Sequence, residues 1–552
     1  MGLCYGLTNP AAFRGQFELY PDLFKFYTAV PTRSTESTAA NQRRPVLYTS
    51  LNGGSGWKYE SQSSDFYQAN YCGNFYFDAL NPNVSHGVLM ALAHKSASSS
   101  YSAYKARCGV NDTIKIGQQN WETSSAVAYS TTNQPSRELC KNLSTTNQYR
   151  YFCIRNGGGL IYNDTAWSTA NWTSLSLPSG TTLSDDGGFR HICINPERDH
   201  EALVLLTTND SNKYLRFYLF DTSTNTFGTD YTSTVCYGYT TFKQASYQYC
   251  SVDYLPGVGY LIFFNYATGT KGTEVILLRT HDANTGELLP YNAYTNEGGP
   301  FTLYNNDAKL VPNGMHGWYC PWTKEYYFVP NAHQVFWTND GLNWSSSQAT
   351  PAASTAACVK FITDGTNMVV ATSGSAYYYS TDKGQTWSSG TSLSPNGFNT
   401  SQSNDTIVLP FKCTNNINIG ISNVTLGYWL NRTDGQPTSN AQNFYTNDYI
   451  PIDASTSYVF YGTNKTTKTI AQNNRITWYD SNKNWISTQD DTVNANIPAL
   501  FTSPSNAAFA RFSCRIKANT TVTQEMVDSC KWYFAKESDF VPMTEYGNIV
   551  CD

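Results

Sequence analysis

The stretch Tyr377–Ser389, "YYYSTDKGQTWSS", decides how this chain is read. Three aromatics run into Ser380-Thr-Asp382-Lys-Gly384-Gln-Thr386-Trp387, a cluster of turn formers closed by an indole. A Ser hydroxyl and an Asp carboxylate can accept hydrogen bonds from backbone N–H groups across a tight reversal. Gly supplies the positive φ that a side chain resists. The Trp can then fold back as an apolar plug between neighbouring hairpins. The chemistry is that of a turn, not of bond breaking.

The pattern recurs. "FWTNDGLNWSS" gives Thr338, Asp340, Gly341 and Trp344, and "YTSLNGGSGW" gives Ser50, Asn52, Gly54 and Trp57 with Asn in place of Asp. Weaker echoes lie around Asn163–Trp172, Asp221–Phe227 and Asp282–Gly286. Each follows an apolar or aromatic run with strand alternation. Spacings of roughly 45–65 residues suit four-stranded propeller blades. Ser380, Asp382, Gly384, Thr386 and Trp387 resemble an Asp-box, the repeat of sialidase-like β-propellers. The groups around Asp340 and Asn52 resemble degenerate copies. The resemblance implies that these residues sit at the blade periphery, away from any active centre.

Strand-rich units cover about 68–122, 124–172, 186–230, 245–290, 303–345 and 352–390. The hairpin at Pro45–Trp57 is left over, and strands from about 396–412 are placed to close the ring with it, since closure removes free edges. The expected fold is all-β: a six- or seven-bladed β-propeller over 45–413, then a β-sandwich over 414–552. Residues 1–44 hold aromatics without alternation and then a Ser/Thr/Ala-rich spacer, which reads as a docking segment and linker. From 414 on, alternating strands and Asn/Asp/Gly turns argue for the sandwich, with "WYDSNKNWIS" (Trp478–Ser487) as a hairpin around Asp480. Gly427-Tyr428 with Asp434-Gly435, Asp448-Tyr449-Ile450-Pro451, Arg475 to Asp480 and Pro504 to Phe512 resemble the carbohydrate-binding-module-like jelly rolls of bacteriophage tail and baseplate proteins.

The bulk numbers agree with this class. The chain has 552 residues, a net charge of -5, 14% charged and 15% aromatic residues. That charge argues against binding nucleic acid through a basic surface, and no stretch is long and apolar enough to insert in a membrane. The N-terminal residues do not read as a secretion signal. Fourteen cysteines occur with no Cys-x-x-Cys pair, so they read as reduced thiols and not a metal or redox motif. The seven histidines lack metal-ligand spacing, so no metal or cofactor is expected.

Catalytic residues are not expected. A sialidase-type site needs an arginine cluster, a Tyr–Glu nucleophile pair and an Asp acid, with a Phe/Tyr-Arg-Ile-Pro motif ahead of the first box. Phe13-Arg14-Gly15 and the arginines Arg150 and Arg155 do not match. Asp185, Asp186, Asp307 and Glu325 are carboxylates available to another glycosidase, but they read better as turn residues. Sugar recognition remains: aromatic faces stack on pyranose C–H groups beside amide or carboxylate acceptors. The candidates are Trp429, Tyr445, Tyr449 and Trp485, with Asn431, Asp434 and Asn484 as polar partners. The expected protein is a phage tail-fibre or receptor-binding component, made in host cytoplasm and carried in the virion tail. Its partners would be a host-surface glycan, other tail proteins through residues 1–44, and, as the resemblance implies, two further copies in a trimer. The alternatives are a glycan depolymerase on the propeller and a purely structural connector.

Overall fold

A computed structural model describes residues 406–466, 474–490 and 499–542 continuously, and before them the strands and turns named below. No helix among these residues is long and apolar enough to cross a membrane. The fold is all-β: a β-propeller followed by a β-sandwich.

Before residue 414 the described residues form seven antiparallel sheets. Six are meanders of consecutive strands, opening with Cys72–Asp78, Glu138–Lys141, Gly188–Ile194, Cys250–Leu255, Trp318–Cys320 and Cys358–Thr363. The seventh joins the two ends of this region, as Thr406–Cys413 pairs with Leu23–Arg33, which pairs with Arg43–Ser50 and then Lys58–Gln62. The opening strands of the first four meanders lie beside one another in order, as do those of the fifth and sixth, and Thr406–Cys413 lies beside both Cys358–Thr363 and Cys72–Asp78. The fourth and fifth meanders meet through a shared core of Leu255, Leu261 and Phe263 against Tyr326 and Phe328. The sheets thus form a closed ring, which leaves no unpaired edge at the join.

Two expectations change here. Residues 1–44 were expected outside the propeller, yet Leu23–Arg33 is an inner strand of the closing sheet and Leu23 and Phe26 are buried. Of Leu23–Arg33, only Leu23–Thr28 pairs with Thr406–Cys413, so Pro31, which has no N–H, falls beyond that ladder. Phe301–Tyr304, expected to open the 303–345 unit, instead pairs with Thr273–Val275 of the preceding sheet.

Among the described side chains, the interfaces between sheets are apolar seams. Leu203, Leu205 and Phe217 of the third meander pack on Val252, Tyr260 and Ile262 of the fourth. Tyr327, Val329 and Val335 of the fifth pack on Phe361, Met368 and Val370 of the sixth. Phe26 of the closing sheet packs on Ile362, Val369 and Tyr377.

After the ring, two sheets stack. The larger is ordered Val424–Leu430, Pro437–Thr446, Phe509–Arg515, Asn474–Tyr479, Trp485–Asp490, with Ile450–Pro451 also on Phe509–Arg515. The smaller is Ala499–Thr502, Ser457–Asn464, Cys530–Lys536. Phe444, Ile476, Trp478 and Phe512 from one meet Tyr458, Phe460, Phe501 and Phe534 from the other in a single core. Period-two alternation puts the intervening residues of the larger sheet, Tyr445, Arg475, Tyr479 and Arg511, on its outer face.

The sandwich is tied back to the ring. Phe540–Pro542 pairs with Phe411–Cys413, and the buried Asp22 carboxylate joins both regions. It accepts from the Cys413 amide (3.0 Å), the Tyr533 hydroxyl (2.6 Å) and the Lys531 ammonium (3.0 Å), and the Tyr461 hydroxyl donates to the Asp22 carbonyl. Burial opposes ionisation, but these donors outweigh it and hold Asp22 below the usual carboxylate value.

Candidate functional site

The Trp-closed turns come first, because they decide whether the ring carries chemistry. Thr338 Oγ1 accepts from the Gly341 amide (2.9 Å), while Asp340 Oδ1 accepts from the Leu342 (2.8 Å) and Asn343 (2.7 Å) amides. Ser380 Oγ accepts from the Gly384 amide (2.8 Å), and Asp382 takes both the amide (2.9 Å) and the hydroxyl (2.5 Å) of Thr386. Ser50 Oγ accepts from the Gly54 amide (2.9 Å), whereas Asn52 lies outside the described residues. Gly54, Gly341 and Gly384 have φ of 88°, 75° and 80°, which is why glycine stands there.

The three indoles lie in three different seams. Trp344 packs edge-on to Phe263 and Tyr326, Trp387 joins the Tyr327–Phe361 seam, and Trp57 packs edge-on to Tyr377. They share no cleft. The dense hydrogen bonding holds Asp340 and Asp382 below the usual carboxylate value despite an opposing desolvation cost. A turn of the same chemistry was missed at Thr363-Asp364-Gly365-Thr366-Asn367, where Asp364 accepts from the Thr366 and Asn367 amides. Its signal was the Asp-Gly pair, unaccompanied by a Trp.

Four of the ring's described carboxylates join sheets. Tyr254 and Tyr260 of the fourth meander donate to Glu197 (2.5 Å) and Glu201 (3.0 Å) of the third. Tyr326 of the fifth donates to Asp253 of the fourth (2.5 Å). Lys383 of the sixth reaches Glu325 of the fifth at 2.7 Å. Glu325 is therefore an ion-paired link between sheets. Asp185, Asp186 and Asp307 lie outside the described residues. All these links lie at the end of the ring where first and second strands join and where the sandwich is attached. The connections at the other end lie mostly outside the described residues.

The sugar-binding candidates fall on the outer face of the larger sandwich sheet and on two turns at its rim. Trp485 is half-buried, and its indole N–H donates to Thr488 Oγ1 (3.1 Å), which in turn donates to the Asn431 carbonyl (3.2 Å). The turn Asn431–Gln436 lies directly against that indole: a Cβ at Gly435 would stand 2.4 Å from Trp485 Cδ1. Exposed Thr433 and Asp434 and half-buried Asn431 therefore flank Trp485. On its other side, Asn484 is exposed but donates its side-chain amide to Asp480 (3.0 Å), which closes the Asp480–Asn484 turn.

The remaining aromatics meet cations. Arg475 lies 3.9 Å from the Trp429 ring and is ion-paired to Asp490, which also holds Arg432. Tyr445 is only 9% exposed, with Arg511 at 5.0 Å, so little of its ring is open. Tyr449 stays half-buried, edge-on to Tyr479 at 4.8 Å, with Arg511 and Lys483 each 5.0 Å from its ring. The two best-placed candidates for stacking are thus Trp485 and Tyr449. The exposed Tyr428 (42%) was not singled out from sequence, because nothing in its local pattern separates it from a packed strand residue. No group of His, Cys, Asp and Glu suited to a metal occurs among the described residues.

Neither a family model nor a curated protein matches this chain. Among solved structures, Sqt1 from Chaetomium thermophilum is similar with a TM-score of 0.39 and 8% identity, covering 78% of this chain and 92% of that one. Apo AztD from Citrobacter koseri gives 0.34 and 9%, covering 90% and 99%. YCF48 from Cyanidioschyzon merolae gives 0.32 and 10%, covering 68% and 91%. Likenesses this weak carry no functional argument, so the reading rests on the residues themselves.

Proposed function

We propose that this chain is a glycan-binding attachment protein: a seven-bladed Asp-box propeller serves as a rigid platform, and a jelly-roll sandwich touches the host surface. The observation that carries the reading is the half-buried Trp485 flanked by Asn431, Thr433 and Asp434 at the sandwich rim. An indole with polar acceptors beside it presents a stacking face and hydrogen-bond partners to a sugar ring. The resemblance of 420–535 to modules of phage tail proteins supports a role in a virion tail. The inter-sheet duty of Glu325 favours a platform over a depolymerase.

The test uses the full chain, because Asp22 links the two regions. Binding to host cells and to an oligosaccharide panel is measured for the unmodified protein and for Trp485→Ala. Retention on cells by the first and loss by the second supports the reading. Failure of the unmodified protein to bind cells or any oligosaccharide overturns it.

A further inference from the structure

Two cations at Tyr449 stand apart from the ion-paired ones of the sandwich. Lys531 is paired with Asp22, Lys536 with Asp453, and Arg475 and Arg432 with Asp490. Lys483 and Arg511 make no ion pair among the described residues. Asp480, Asp434 and Asp448 accept hydrogen bonds from neutral groups. Asp480 accepts from the Asn482 amide (2.8 Å) and the Asn484 side chain, Asp434 from the Gln436 amide (2.9 Å), and Asp448 from the Asn423 side chain (2.8 Å). Arg511 is fixed by its Nε donating to the Thr446 carbonyl (3.0 Å), so its guanidinium is pre-positioned over Tyr445 and Tyr449. Lys483 is exposed at a left-handed turn position, with φ of 64°. Two positive charges with no ion pair among the described residues thus share one half-buried aromatic ring, on a chain whose net charge is -5.

We propose that the ligand of the sandwich is an acidic glycan whose carboxylate is held by Lys483 and Arg511 while its ring lies against Tyr449. Charge complementarity argues for this occupant: a neutral sugar brings neither cation a counter-ion, whereas a carboxylate completes charge-assisted hydrogen bonds with a guanidinium and an ammonium. The inference rests on the glycan-binding reading and narrows it to one ligand class.

The experiment measures binding of the full chain to an array of acidic and neutral oligosaccharides, and to the same acidic members after their carboxylates are reduced to alcohols. The expected result is binding confined to acidic members, weakened by salt and lost on carboxyl reduction. Lys483→Asn, which keeps a residue tolerant of the left-handed turn, is expected to lower affinity about tenfold and reduce the salt dependence. Arg511→Lys keeps the charge but loses the fork, and is expected to weaken binding less than Arg511→Gln. Near-ultraviolet circular dichroism of each variant reports whether the aromatic face remains packed. Equal binding of neutral and acidic sugars, or unchanged affinity in folded Lys483→Asn, overturns the inference and leaves the glycan reading standing. Absence of all glycan binding removes the reading beneath it.

Discussion

The ring and the sandwich use the same residue types in opposite ways. In the ring, Tyr hydroxyls and carboxylates face one another across the seams, as in Tyr326–Asp253 and Tyr254–Glu197, and their groups serve to join sheets. In the sandwich, the seam between sheets is lined by Phe, Trp and Ile, while Tyr and Arg gather on the outer face. A ring made of many small sheets needs directional contacts at every join to fix its closure. A sandwich with one large apolar seam does not. The comparison teaches that an aromatic-rich composition says little about function until each ring is assigned to a seam or a surface.

The largest expected effect comes from breaking the Asp22 link between the two regions. Asp22→Ala leaves Lys531 and Tyr533 without their acceptor and is expected to destabilise by about 3 kcal/mol, at the low end for a broken buried pair. Calorimetry should then show the sandwich melting ahead of the ring instead of with it. A single unshifted transition would mean that the strand pairing at Phe540–Pro542 alone holds the regions together.

The pH dependence of the same group sharpens the point. Its folded value lies below 3.8, so the unfolded chain binds the proton first as pH falls. The stabilisation from Asp22 is complete well above pH 3.8 and is lost as pH drops through the lower folded value. Asp22→Asn should therefore lose stability at pH 7 and show a shallower acid decline than the unmodified protein, read by denaturant titration at several pH values.

Within the ring, Gly54→Ala should cost about 1–3 kcal/mol, because a Cβ there would stand 1.9 Å from Val369 Cγ2 and φ is 88°. A smaller loss, about 1 kcal/mol, is expected for Ser380→Ala, which removes the acceptor for the Gly384 amide. The smallest is Lys383→Met, below about 1 kcal/mol, since the Lys383–Glu325 pair is partly exposed. Thermal midpoints of the three proteins should fall in that order, and none should alter glycan binding.

Much of the ring was legible because each sheet is written locally. Alternating runs end in Ser, Asp and Gly, and the hydrogen bonds of those turns span only a few residues, as between Ser380 and Gly384. The Asp480 hairpin was legible for the same reason. The Asp22 link was not, since its partners Cys413 and Tyr533 lie 391 and 511 residues away. Leu23–Arg33 was read as part of a docking segment and linker because poor alternation hides a strand, one of whose two partners, Thr406–Cys413, comes from the far end of the ring. At the candidate site, the sequence supplied Trp485 and Tyr449 but could not reveal that Arg475 covers one ring and Arg511 another, because those contacts cross strands.

A pair of tryptophan substitutions, measured side by side, tests the division of labour between the two regions most directly. Glycan affinity and thermal midpoint are recorded for Trp485→Ala and Trp387→Ala in the full chain. The account predicts lost binding with little change in midpoint for the first, and a lowered midpoint with binding intact for the second. Binding lost through Trp387 and retained without Trp485 would contradict it, because the ring would then carry the site and the sandwich only the structure.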